Sequence, residues 1–279
     1  MFDWRAWLPV FRRRSYARRQ PLILINGLAE QAESWFRNLA FWRRYFDVHT
    51  PNILAYDGPA LHRRLDAGLP IDVEYLVGEL HHYLQGFAQT PPYHLVASSL
   101  GGKVAVEYAA RYPDEVARLV LLCPSGLGDE ERLPLVEGVR RSDPTGLVRS
   151  VFYKPRRADG RLLDYYKRQF ANRRWRTGLL RTVRGTSDHC VRDRLRDVLQ
   201  PTLLVSGAED KIVCPTHAAA AAKLLPRGQY LSVPRCGHAP QMEKPWLINR
   251  VVLHFLTSAR PLPRPRLGQL LLSSPNTIL

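Results

Sequence analysis

Residues 93–112 read YHLVASSLGGKVAVEYAARY, and their order decides the fold. A buried apolar run, His94 to Ser98, breaks at a cluster of small residues. A helical pattern follows, with Val104, Val106 and Ala109 at apolar spacing, and it stops ahead of Pro113, which disfavours helix in the residue before it. The sequence predicts strand, tight turn at Ser99, helix. A turn that sends a strand straight into a helix brings the two elements close and strains the central residue, so little side-chain bulk fits two positions before or after it. Ala97 and Gly101 meet that demand for Ser99; Ser98, flanked at the same distances by Val96 and Leu100, does not. Such a turn exposes the Ser99 Oγ at the strand tip. It also leaves the Leu100 amide at the helix N-terminus, facing any negative charge that develops beside the serine.

This segment resembles the nucleophile elbow of the α/β-hydrolase family, Gly-x-Ser-x-Gly, written here as Ala97-Ser98-Ser99-Leu100-Gly101 with alanine in place of the first glycine. A serine hydroxyl is a poor nucleophile without a base, and in this family an acid and then a histidine follow the serine along the chain. Both are found. Residues 203–210, LLVSGAED, resemble the acid-bearing turn, which makes Asp210 the group that orients the imidazole. Neighbouring Glu209 reads as a solvated turn residue, and Asp129 and Glu130 are a second possible origin of the acid. In residues 233–243, VPRCGHAPQME, Gly237-His238-Ala-Pro resembles the histidine loop, so His238 is the expected base. The resemblance also implies a second oxyanion donor after the first central strand. Ile25-Asn26-Gly27-Leu28 occupies that place, with Asn26 where the family usually has histidine, and the donor is then the Leu28 amide. Trp35, Phe36 and Trp42 downstream read as helix and pocket packing.

Working outward, short apolar runs alternate with helix-length segments, as in a parallel sheet covered on both faces. The runs are Leu22 to Ile25, Val48 to Leu54, His94 to Ser98, Leu119 to Cys123, Thr202 to Ser206 and Gln229 to Val233. The expected class is α/β: an α/β-hydrolase fold with a mostly parallel central sheet, helices on both faces and an inserted α-helical cap. Core segments are 21–124 and 200–258. The strand rhythm stops over 125–199, a stretch too long for a structureless loop, which reads as the helical cap over the sheet's C-terminal edge. Residues 1–20 form a basic leader and 259–279 a proline-rich tail.

The 279 residues are 45% hydrophobic and 24% charged, a globular balance, with no apolar run long enough to span a bilayer and no secretory h-region. A soluble, cytoplasmic protein is the expectation. The four cysteines are scattered and form neither a zinc pattern nor a disulfide framework. The net charge of +16 is spread along the chain without a nucleic-acid motif, so it reads as an arginine-rich solvated surface and a nucleic-acid partner is not expected. The leader reads as a basic segment packed on the domain or loose in solvent, with weak association with an anionic membrane surface as the alternative. No metal, phosphate or dinucleotide motif occurs, and no cofactor is implied. Oligomeric state is not readable.

A serine at the elbow argues against the aspartate-dependent dehalogenase and epoxide hydrolase branches. The resemblance then implies acyl transfer to water: a carboxylic ester, thioester or lactone of small to medium size, cleaved through an acyl-Ser99 intermediate. A carbon–carbon bond hydrolase of the ring-cleavage type is the alternative, with Arg173, Arg174 and Trp175 as carboxylate and ring contacts, although the tryptophan expected after His238 in that branch is missing. A non-catalytic binding protein on the same scaffold is the reading from a different class.

Overall fold

The computed structural model describes residues 19–30, 32–87, 90–128, 143–154 and 160–258. Most of the leader, the tail, Asp129 and Glu130 lie outside the described residues. Among the described residues six strands form one sheet: β1 (Pro21–Ile25), β2 (Asp47–His49), β3 (Tyr93–Ser98), β4 (Val116–Leu122), β5 (Thr202–Gly207) and β6 (Gly228–Val233). Every pairing among them is parallel, and the order is β2-β1-β3-β4-β5-β6. The chain leaves β1 toward one edge of the sheet and returns through β3 toward the other. The winding direction therefore reverses between β1 and β3, and in open α/β sheets the crevice at that switch point is where ligands bind. Asn26 and Gly27 leave the end of β1 there, and Ser99 leaves the end of β3.

Strands β1, β3 and β5 are buried along their whole length, which is why they read as continuous apolar runs. Their side chains still alternate. Ile23, Ile25, Leu95 and Ala97 face one core layer, whereas Leu22, Leu24 and Val96 face another with Trp35 and Trp42. The expected strand Val48 to Leu54 is corrected to Asp47–His49. Pro51 has no N–H to give a ladder, and Ile53 and Leu54 pack into the core from the turn that follows.

The helices are α1 (Leu39–Trp42), α2 (Pro59–Asp66), α3 (Val73–Gln85), α4 (Leu100–Arg111), α5 (Pro144–Val151), α6 (Gly160–Ala171), α7 (Arg173–Thr186), α8 (Pro215–Ala222), α9 (Pro240–Glu243) and α10 (Pro245–Thr257). Among the described residues side-chain caps start three of them. Asp143 accepts the Gly146 N–H at 2.8 Å ahead of α5. Asp72 accepts the Tyr75 N–H ahead of α3, and Asn172 accepts the Arg174 and Trp175 N–H groups ahead of α7. Between β4 and β5 the chain folds as α5 to α7, and two features anchor this insertion. Lys103 of α4 is only 1% exposed, yet its ammonium donates to Thr186 O at 2.9 Å and Ser187 O at 3.4 Å, satisfying carbonyls at the end of α7. At Gly178 a Cβ would stand 2.1 Å from Tyr56 O, so α7 meets the core with its backbone.

None of the four cysteines is disulfide-bonded. Among the described residues no helix is long and apolar enough to cross a membrane.

Candidate active site

Ser99 occupies the strained turn that its neighbours allow. Its φ of 49° and ψ of −119° lie outside the regions open to most side chains, a cost of about 1–3 kcal/mol that surrounding contacts must offset. The Ser99 N–H donates to Leu122 O at 3.0 Å, and its carbonyl accepts from Gly102 at 2.8 Å and Ser125 at 3.2 Å. A Cβ on Gly101 would sit 2.5 Å from Asn26 O, so α4 starts in backbone contact with the loop after β1. Ser98 is fully buried, and its hydroxyl accepts from Gln241 Nε2 at 3.2 Å. The choice between the two serines follows the bulk rule.

His238 and Asp210 reach Ser99 from the far ends of β6 and β5. The His238 Nε2 stands 2.9 Å from Ser99 Oγ and the Nδ1 2.8 Å from Asp210 Oδ2, so the three side chains form one continuous hydrogen-bonded chain. Histidine and aspartate are 5% and 8% exposed. Asp210 Oδ1 accepts the Ile212 N–H at 2.8 Å and the Val213 N–H at 3.1 Å. Burial pushes the Asp210 carboxyl up, but the His238 charge and these hydrogen bonds outweigh it and hold the group below its ordinary value. An ionised carboxylate behind the imidazole fixes the tautomer whose Nε2 faces the hydroxyl, and it stabilises the cation formed when that nitrogen takes a proton.

The loop carrying His238 is held by groups that the sequence reading missed. Glu243 accepts the Gly237 N–H at 2.7 Å and the Tyr153 N–H at 2.9 Å. Burial raises its pKa, partly countered by those bonds. Glu209, read as a solvated turn residue, is corrected to a half-buried brace: it accepts the Cys236 N–H at 2.9 Å. Both carboxylates act on backbone N–H groups, which leave no trace in a residue pattern. Cys123, Asp210 and His238 bring possible metal-ligand atoms within 4.8 Å of one another, with both Asp210 oxygens already accepting hydrogen bonds.

On the other side of Ser99, a Cβ on Gly27 would lie 2.9 Å from the Ser99 Cβ, which puts the loop after β1 directly against the serine. Leu28 follows in that loop, and Leu100 opens α4 with one of the N–H groups a helix leaves unsatisfied. Among the described residues neither amide donates to a protein acceptor. Asn26, the departure from the family's histidine, accepts the Trp35 indole N–H at 2.6 Å and so joins the loop to the core. Trp35 and Trp42 are buried as expected, whereas Phe36 is 42% exposed and is no packing residue. Of the residues considered for ring-cleavage chemistry, Arg173 and Arg174 are exposed and Trp175 is buried edge-to-face against Tyr56, with centroids 5.5 Å apart.

Comparison with known proteins agrees with this architecture. The chain is 24% identical over 262 residues to the monoacylglycerol lipase abhd6-B of Xenopus laevis, covering 85% of this chain and 75% of that one. It is 25% identical over 243 residues to Lipase 1 of Psychrobacter immobilis, covering 80% and 73%. Among solved structures it superposes on a meta-cleavage product hydrolase from Pseudomonas fluorescens IP01 with a TM-score of 0.71 at 18% identity, over 88% of this chain and 93% of that one. The profile of the α/β hydrolase family matches residues 22–247, which contain the serine turn, the acid turn and the histidine loop. With parallel sheet, switch-point crevice and profile in agreement, the chain belongs to the α/β hydrolase family.

Proposed function

We propose that this protein is a serine hydrolase that cleaves carboxylic esters through an acyl-Ser99 intermediate. The observation that carries the reading is the unbroken hydrogen-bonded chain from Ser99 through His238 to Asp210. In the proposed cycle Ser99 Oγ attacks the ester carbonyl carbon while its proton passes to His238 Nε2. The carbon–oxygen bond to the alcohol then breaks, and His238 returns the proton to the departing oxygen. Water, deprotonated by the same imidazole, releases the acid and restores Ser99. Asp210 orients His238 throughout. The Leu28 and Leu100 amides are assigned to the tetrahedral oxyanion, each worth about 2.7–4 kcal/mol in such a role.

The insertion α5 to α7 is assigned the part of a cap over the crevice. For the substrate class, relatives named as monoacylglycerol lipases and lipases support acyl esters as the first compounds to try, with thioesters and lactones next. A series of p-nitrophenyl esters of rising acyl length, a monoacylglycerol and a dienone acid tests this. The reading expects ester turnover with a burst of p-nitrophenol equal to the enzyme present. Faster cleavage of the dienone acid than of any ester would replace it with carbon–carbon bond hydrolysis.

A further inference from the structure

One carboxyl group lies inside the site without a part in this chemistry. Glu30 is 8% exposed, and its Oε2 accepts the Gly27 N–H at 3.1 Å. The Glu30 N–H returns to Gly27 O at 3.3 Å. These reciprocal bonds close a four-residue turn, Gly27 to Glu30, with Leu28 and Ala29 at its centre. Ala29 has a φ of 61°, at the turn position where a positive φ normally calls for glycine. A non-glycine residue is strained there, so the turn depends on what clamps it.

Two clamps are present. Glu30 is the first, and the hydroxyls of Ser98 and Ser34 hydrogen-bond to the same carboxyl. Tyr56 is the second: its hydroxyl accepts the Ala29 N–H at 3.0 Å. The Tyr56 ring is fully buried against Trp175 of α7, so the turn beside Ser99 is joined through one side chain to the insertion. A carboxyl buried at this depth is costly unless hydrogen-bonded, and burial raises the Glu30 pKa accordingly. Of its bonds, the one from the Gly27 N–H bears on the turn beside Ser99.

We propose that Glu30 is the positioning residue of the oxyanion side: as an acceptor for the Gly27 N–H it locks the turn that presents the Leu28 amide beside Ser99, with Tyr56 tying the same turn to α7. The proposal rests on the acyl-transfer reading of Ser99. Because the work is done by an acceptor oxygen rather than by charge, an amide can replace the acid.

Glu30→Ala, Glu30→Gln and Tyr56→Phe are compared for kcat and KM on a p-nitrophenyl ester, and for hydrogen exchange at the Gly27 amide. Glu30→Ala is expected to lower kcat about 10- to 100-fold with KM changed less than about threefold, the pattern of a lost transition-state contact. Glu30→Gln is expected to stay within about threefold of wild type, and Tyr56→Phe to fall about three- to tenfold, with intact folding by circular dichroism. Exchange at Gly27 should quicken in Glu30→Ala and stay slow in Glu30→Gln. Wild-type kcat in Glu30→Ala, or a tenfold or greater loss in Glu30→Gln, would overturn the proposal. Should Glu30→Ala fail to fold, Glu30→Gln and Tyr56→Phe decide it. Failure of the acyl-transfer reading shows separately, as full activity in Ser99→Ala; the Gly27 exchange rates, measured without turnover, still report on the clamp.

Discussion

The backbone N–H of His238 donates to Val151 O at 2.8 Å, so the residue facing Ser99 is pinned to the last residue of α5. The histidine loop is thus located by the insertion on one side and, on the other, by β5, where a Cβ on Gly207 would lie 2.0 Å from Gly237 O. Gly237 is the hinge between these contacts. A methyl group there would meet Val151 O at 2.5 Å and Tyr153 N at 2.8 Å, both of them backbone atoms that cannot swing away. Gly237→Ala is therefore expected to displace His238 by a fraction of an ångström and to lower kcat by about 10²-fold, more than it disturbs folding. Steady-state kinetics beside a thermal melt checks this; an unchanged kcat in a folded variant would show that the loop tolerates the shift.

Asp210→Asn should leave the fold in place and lower kcat by about 10³- to 10⁴-fold, since an amide at this position holds the imidazole in the wrong tautomer. Because the Asp210 carboxyl titrates below its ordinary value, it is ionised throughout the range in which His238 must be neutral to act. Loss of rate on the acid side should accordingly track the imidazole alone. A second carboxylate step in the pH profile of kcat, between pH 4 and 6, that persists in Glu243→Gln and in Glu30→Gln would contradict the assignment.

Lys103→Met should weaken the attachment of α7. The substitution keeps the volume of the stem but removes the donor to the Thr186 and Ser187 carbonyls. Orphaning the buried Thr186 carbonyl costs about 1–3 kcal/mol before water intrudes, and the half-buried Ser187 carbonyl loses less. Urea unfolding should show a lowered midpoint, and limited proteolysis should cut the insertion earlier than in wild type. Equal proteolysis of the two proteins would assign the anchoring elsewhere.

His94 supplies a pH dependence of stability unrelated to catalysis. It is buried on β3 with Phe46 edge-to-face against it, and burial, assisted by the nearby Arg118 charge, lowers its pKa from 6.5 to about 4. The folded protein therefore binds this proton less readily than the unfolded chain. The contribution is fully present above pH 6.5 and is lost as pH falls toward 4, by about 3 kcal/mol in total. Unfolding free energies measured from pH 7 to 4 should fall by that order, and His94→Gln should flatten the slope.

How much of this was legible follows from what each residue contacts. Strands β1, β3 and β5 were visible because burial on both faces leaves an uninterrupted apolar run, whereas β2 was overdrawn because the hydrophobicity of Ile53 and Leu54 belongs to packing after Pro51. Ser99 could be singled out because the strand-turn context restricts which residues fit around it, whereas Asp210 and His238 were singled out by the resemblance of their segments to the acid turn and histidine loop of the α/β-hydrolase family. Glu30, Glu209 and Glu243 were not. Each binds a backbone N–H, so its importance is set by chain geometry and not by a partner residue that a pattern could show. The pairing of Trp35 with Asn26, which gives the unusual asparagine a structural role, likewise joins residues nine positions apart through a bend.

The central claim is that Ser99 is a nucleophile activated by His238. Mass spectrometry of the protein after treatment with a fluorophosphonate tests it most directly. A single adduct on Ser99 is expected, with no adduct in Ser99→Ala and labelling slowed by about 10²-fold or more in His238→Ala. An unlabelled wild-type protein, or equal labelling of Ser99→Ala, would contradict it.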